Sequence, residues 1–155
     1  MAHFCLLAFN EKLLGTDAGV IRLSETEISE TQVEAHFAAG SWQGDDYSLC
    51  ILKEPYAKQS PEEYVGLRSL LAKVSSEEEY DLLSRAAQIA IWYASFVYCP
   101  RCATKLTCHS NELAKVCPSC NHHQYPRISP CIIVLVRKGD QCLLAHASRF
   151  SAGRY

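Results

Sequence analysis

The first half of the chain alternates short apolar runs with clusters of turn-forming residues, which is the pattern of strands and not of helices. Residues 3–9, 19–23, 33–39 and 47–53 read as four strands, and the last two flank Gln43-Gly44-Asp45-Asp46 as the arms of a hairpin do. Residues 53–60 form a polar connection. Ser60-Pro61-Glu62-Glu63 then offers an N-cap serine, a proline at the first helical position and a glutamate three residues on, predicting a short helix to about Lys73. Ser76 and Glu79 repeat that capping logic. Tyr80, Leu83, Ala87, Ala90 and Ala94 follow at three- and four-residue steps, so a second and better helix presents them on one face. Trp92 and Tyr93 near its end are placed to seat it against the next element. Beyond Tyr125, an apolar run at 131–136, a turn at Lys138-Gly139-Asp140 and a run at 141–145 predict a hairpin whose first strand is buried on both faces.

Composition narrows the class without naming a function. A chain of 155 residues, 48% hydrophobic and 21% charged, is ordinary globular protein of one medium domain or two small ones. It shows neither internal repeats nor low-complexity segments. The net charge of -2 supplies no overall attraction to nucleic acid or membrane. Late in the chain Arg127, Arg137, Lys138, Arg149 and Arg154 stand against Asp140, a bias that suits either an anionic ligand or a solvated surface. No apolar run reaches membrane-spanning length. The early run at 4–9 is short, lacks a cationic lead and is followed by Asn10-Glu11-Lys12, so it does not read as a signal peptide.

The strongest chemical signal is Cys99, Cys102, Cys117 and Cys120, in the order C-x2-C-x14-C-x2-C. Each C-x-x-C pair turns both sulfurs toward one point, and two such knuckles supply the four thiolates of a closed tetrahedral zinc site. Two disulfides are the competing reading of the same residues. The other five cysteines, Cys5, Cys50, Cys108, Cys131 and Cys142, are scattered, three of them in apolar runs where a thiol packs as a small hydrophobe. One structural zinc in a reducing cytoplasm accounts for all nine. Cys108 and His109 are the substitute ligands to consider, but both lie in mid-linker.

An aromatic-ended helix, two C-x-x-C pairs, the run Y-P-R-x-S-P from Tyr125, an aliphatic strand and R-F-x-x-G-x-Y from Arg149 together resemble the NAD(H) diphosphatase (NADH pyrophosphatase) branch of the Nudix hydrolases. The resemblance spans about Leu67 to Tyr155 and is specific from Tyr98 onward. It implies an α+β chain: an N-terminal Nudix-like α/β domain at 1–96, a zinc ribbon at 97–125, and the first β-hairpin of an incomplete Nudix α/β/α fold at 126–155. It further implies hydrolysis of the pyrophosphate of NADH or NAD to nicotinamide mononucleotide and AMP, removal of NAD caps from RNA in some members, and homodimers. Tyr125 and Ile133 match nucleotide-pocket positions, although a ribbon-packing aromatic and a core strand residue explain them equally well. Arg68 matches an arginine common before the long helix.

The sequence departs from that pattern in three places. Ala103 stands where relatives carry glycine after the second cysteine of the knuckle, a position that wants positive φ; its partner in the second knuckle is Asn121, which tolerates it. Phe96 replaces a frequent histidine. Above all, the Nudix box G-x5-E-x7-R-E-U-x-E-E-x-G-U (U aliphatic), whose carboxylates hold magnesium or manganese in the full-length family, does not occur in the 155 residues. Glu77-Glu78-Glu79 lacks the accompanying glycine and arginine and reads as a helix start. The expectation is therefore an N-terminal portion ending before the box, with no catalytic residue of its own and no hydrolysis alone. Two other readings remain: a stand-alone ribbon contacting nucleic acid or protein through Arg101, Lys105 and Lys115, and a scaffold pairing with a separate Nudix half.

Overall fold

The computed structural model describes residues 2–16, 18–56, 63–149, 151 and 153. Its N-terminal part is a mixed sheet built on β1 (His3–Phe9), whose run of apolar residues is buried on both faces. β1 pairs antiparallel with β2 (Lys12–Thr16) and parallel with β6 (Asp45–Leu52), and β6 pairs antiparallel with β5 (Val33–Trp42). The predicted hairpin is present. Gln43 and Gly44 form a two-residue loop with φ of 53° and 82°, the left-handed pair that matches strand twist.

The predicted strand at 19–23 is divided. β3 (Gly19–Val20) continues the β2 hairpin, whereas β4 (Arg22–Ser24) crosses over to pair with β1. A Cβ on Gly15 would lie 2.9 Å from Leu70 Cδ2 and 3.0 Å from the Gly19 carbonyl oxygen, so a larger residue there would force its neighbours to shift.

The predicted cap at 60–62 lies outside the described residues. After it, Tyr64 and Val65 form the short strand β7 against β2, so the first helix, α1 (Leu67–Leu71), begins later than the capping pattern predicts, with Gly66 as N-cap. The second helix, α2 (Glu77–Ser95), starts as expected: Ser76 Oγ accepts from the Glu79 backbone N–H, and Glu79 in turn accepts from the backbone N–H of Ser75 at 2.7 Å. Its buried face comprises Leu82, Leu83, Ala86, Ala87, Ile89, Ala90 and Trp92. Tyr80, expected on that face, is 47% exposed, because it sits in the first turn before the helix meets the sheet.

Each face of the sheet carries its own core, as the two-residue alternation of β1 and β6 dictates. Leu6, Ala8, Leu49 and Ile51 pack under α2 with Trp42 and Tyr47. Cys5, Leu7, Cys50 and Leu52 face the other way, with Leu14, Tyr56 and Tyr64. The alanines of α2 let the helix lie close to the sheet.

A separate three-stranded antiparallel sheet follows, with β9 (Lys115–Val116) between β8 (Thr107–Cys108) and β10 (His123–Gln124). Beyond it, the predicted hairpin is reduced to β11 (Arg137–Lys138) and β12 (Gln141–Cys142) around Gly139. Residues 131–136 form no strand, and Ile132, Ile133, Val134, Leu135 and Val136 are all exposed. An apolar run becomes a central strand only when neighbours pair its backbone and cover its faces. Here the Val136 carbonyl oxygen accepts from the Leu143 N–H at 3.0 Å at the end of the run, while the side chains from Ile132 to Val136 stay exposed.

Candidate metal centre

The four cysteines of the C-x-x-C pairs converge at one end of the three-stranded sheet, on two knuckles of matching geometry. In the first, the Cys99 N–H donates to the Thr104 carbonyl oxygen and the Ala103 N–H to that of Cys99, at 2.8 and 2.9 Å. In the second, the Cys117 N–H donates to His122 and the Asn121 N–H to Cys117, at 2.9 and 3.0 Å. Backbone N–H groups also point at sulfur: Arg101 to Cys99 Sγ at 3.4 Å, and Cys120 to Cys117 Sγ at 3.5 Å. These bonds hold the first sulfur of each knuckle inward and stabilise negative charge on it.

The knuckle turn requires a left-handed residue after its second cysteine. Ala103 and Asn121 occupy that position with φ of 58° and 55°. For asparagine this costs little, whereas for alanine it costs on the order of 1 kcal/mol.

Sulfur separations are 3.4 Å for Cys102–Cys117, 3.5 Å for Cys102–Cys120 and 3.6 Å for Cys99–Cys120. Disulfides are excluded at these distances, since a bonded pair lies at about 2.05 Å. Four thiolates at about 2.3 Å from one zinc stand roughly 3.8 Å apart along the tetrahedral edges, so the cluster fits the ion with small rotations. The second cysteine of each knuckle feels its neighbours. Hydrogen bonds from Thr104 and from the neighbouring thiols draw the Cys102 thiol down to about 6. For Cys120, the His122 backbone bond acts downward, but burial and the surrounding thiols push it up to about 12. Neither Cys108 nor His109 joins the cluster.

The ribbon is anchored to α2 by Lys115, one of the three cations expected to face nucleic acid or protein. Lys115 is only 5% exposed, and its Nζ donates to the carbonyl oxygens of Tyr93 and Phe96 at 2.6 and 2.9 Å. It also stands 3.8 Å from the centre of the Tyr93 ring and 5.6 Å from that of Trp92. Trp92 and Tyr93 therefore seat the helix against the ribbon as expected. Arg101 and Lys105 remain exposed, but the third cation of the proposed basic surface is inside.

The residues matched to a nucleotide pocket are not assembled into one. Tyr125 is half-exposed on the ribbon, where its hydroxyl donates to Glu112 Oε2 at 2.9 Å and its ring approaches His123. Ile133 is fully exposed on the extended segment, and no contact joins the two among the described residues. Arg68 is exposed on α1. The peptide before that segment is tied to α2, with the Arg127 carbonyl oxygen accepting from Gln88 Nε2 at 3.0 Å and its guanidinium over Phe96.

Residues 94–125 match the family model described as the NADH pyrophosphatase zinc ribbon domain. The chain is 33% identical over 146 residues to the NAD-capped RNA hydrolase NudC of Pseudomonas aeruginosa, covering 94% of this chain and 52% of that protein. The NudC of Stutzerimonas stutzeri is 35% identical over 116 residues, 75% of this chain and 41% of the relative. That of Chromobacterium violaceum is 44% identical over 72 residues, 46% of this chain and 27% of the relative. The chain spans about half the length of the curated relatives it matches. With the two knuckles built as a zinc ribbon and that ribbon matched to its family model, the chain resembles the NADH pyrophosphatase branch of the Nudix hydrolases.

Proposed function

We propose that this chain is the N-terminal portion of an NAD(H) diphosphatase, an enzyme that splits NADH or NAD into nicotinamide mononucleotide and AMP and removes NAD caps from RNA. In this reading Cys99, Cys102, Cys117 and Cys120 hold one structural zinc per chain. The observation that carries it is the four-sulfur cluster within a segment matched to the NADH pyrophosphatase zinc ribbon. The match to NAD-capped RNA hydrolases over 94% of the chain supports the substrate class. Residues 1–96 serve as a supporting domain, 97–125 as the ribbon, and 126–155 as the start of the Nudix fold, with Tyr125 and Ile133 contributing to a nucleotide pocket once the latter segment is covered. The enzyme works in the cytoplasm as a homodimer.

The role of these residues is structural, and the hydrolytic metals of the family belong elsewhere. A zinc closed by four thiolates has no open position for water. The candidate metal-binding clusters among the described residues all contain cysteine or histidine, and none is the multi-carboxylate set that magnesium or manganese requires. Glu79 is engaged in capping α2. The ribbon's contribution is to fix the end of α2 and the segment leading out through Pro126.

Zinc analysis and NADH hydrolysis on the purified chain test this together. The expected result is zinc lost on substitution of Cys102 and Cys117, with no AMP released in the presence of magnesium or manganese. Zinc content indifferent to those cysteines, or AMP release abolished by a point change in this chain, would refute the assignment.

A further inference from the structure

A second set of metal-ligating groups lies on the sheet face opposite α2, and it shares no residue with the ribbon. The parallel pairing of β1 with β6 sets Cys5 beside Ser48 and Leu7 beside Cys50; the antiparallel pairing of β6 with β5 sets His36 directly across from Cys50. Strand alternation sends Cys5, Ser48 and Cys50 to the same face. The two sulfurs and an imidazole nitrogen of His36 all lie within 4.8 Å of one another.

We propose that Cys5, Cys50 and His36 form a second metal site, taking a divalent cation of the zinc class with two thiolates, one imidazole and a fourth position open to the adjoining cleft. Zinc with sulfur at about 2.3 Å and nitrogen at about 2.0 Å places such ligands roughly 3.5 to 3.8 Å apart, so the present spacing closes with rotamer adjustments and no backbone movement. Two thiolates and a divalent ion sum to zero charge. That suits a face otherwise lined by Leu7, Leu14 and Leu52, where an isolated thiolate would be costly.

Access and orientation are both provided. Cys5 and Cys50 are 1% and 3% exposed, while His36 is exposed and lines a cleft of about 500 Å³ with Glu25 and Glu34. An ion therefore enters past the histidine and reaches sulfur behind it. Around the three stands a polar shell. Ser48 Oγ lies 3.3 Å from Cys5 Sγ and 3.2 Å from His3 Nε2, and His3 lies 3.2 Å from Glu25 Oε1. The ligating atoms of His3, Glu25 and His36 are also within 4.8 Å of one another, so a carboxylate and a second imidazole are at hand to orient His36. Two cysteines packed only as small hydrophobes require none of these groups.

The test uses the full chain, purified under reducing conditions, stripped of metal, reloaded with zinc or with cobalt as a spectroscopic probe, and passed through gel filtration before elemental analysis. The expected result is one retained equivalent fewer in His36→Ala and in Cys50→Ser than in the unsubstituted chain. The cobalt that is lost should account for part of the thiolate-to-metal charge-transfer absorption. Because His36 is exposed, its substitution leaves the core intact, and an unchanged helical circular dichroism signal verifies this. For His36→Ala, affinity for the lost equivalent should fall at least about tenfold. Equal metal content in unsubstituted and both variant chains would overturn the proposal, as would a Cys5–Cys50 disulfide in the reduced preparation. The ribbon's metal is common to all three proteins and cancels in the comparison.

Discussion

Replacing Lys115 by methionine isolates the contact that joins ribbon to helix. Methionine keeps much of the stem and removes the ammonium, which sits against the last turn of α2 and donates to the carbonyl oxygens of Tyr93 and Phe96. That helix has no basic residue of its own in its last turn, so a cation from the ribbon complements the negative end of its dipole. Charge-assisted hydrogen bonds contribute about 1.5–3 kcal/mol each. The dipole adds roughly 0.3–2 kcal/mol, and the Tyr93 and Trp92 faces roughly 0.5–2 kcal/mol. Opposing these is the desolvation of an ammonium, several kcal/mol for a buried ion. Burial is also the main influence lowering the lysine's pKa, with Cys108 and Glu34 acting the other way. The balance leaves a net loss of about 2–3 kcal/mol for Lys115→Met, part of it from two helix-terminal carbonyls deprived of donors. Urea unfolding of the zinc-loaded protein, followed by tryptophan fluorescence, reads it as a lower midpoint at unchanged slope. Zinc content should stay the same, because Lys115 makes no contact with the four sulfurs. A change below about 0.5 kcal/mol would refute the reasoning and show that Phe96 and the apolar packing around it hold the ribbon without the charge.

Two further outcomes follow from the backbone and from exposure. Ala103→Gly should stabilise the metal-loaded ribbon by about 0.5–1 kcal/mol, since relief of the left-handed strain outweighs the added freedom of the unfolded chain; a lower unfolding midpoint would contradict the strain at φ 58°. Hydrogen exchange should find residues 131–136 exchanging at rates near those of an open chain while the interior of α2 is protected, and equal protection in a demonstrated monomer would show that the apolar run is covered after all.

What the sequence determined by itself is what depends on near neighbours. The two knuckles close within five residues, so C-x2-C spacing was enough to find the four sulfurs, and the resemblance to relatives with glycine after the second cysteine marked Ala103. The Ser76 cap and the Gln43-Gly44 turn are equally local, and each stands where its residues predict. Tertiary structure decided whatever needed a distant partner. The run at 131–136 has the composition of a buried strand, yet composition cannot supply the strands that would pair with it. Lys115 looked like a surface cation because nothing in residues 105–115 reveals that the end of α2 lies across it, offering two carbonyl oxygens and an aromatic face. Cys5 and Cys50 are 45 positions apart and read singly as small core residues. Only the parallel pairing of β1 with β6, with β5 alongside, sets both sulfurs beside His36, and strand register is fixed by the burial of two whole faces rather than by the residues that meet there.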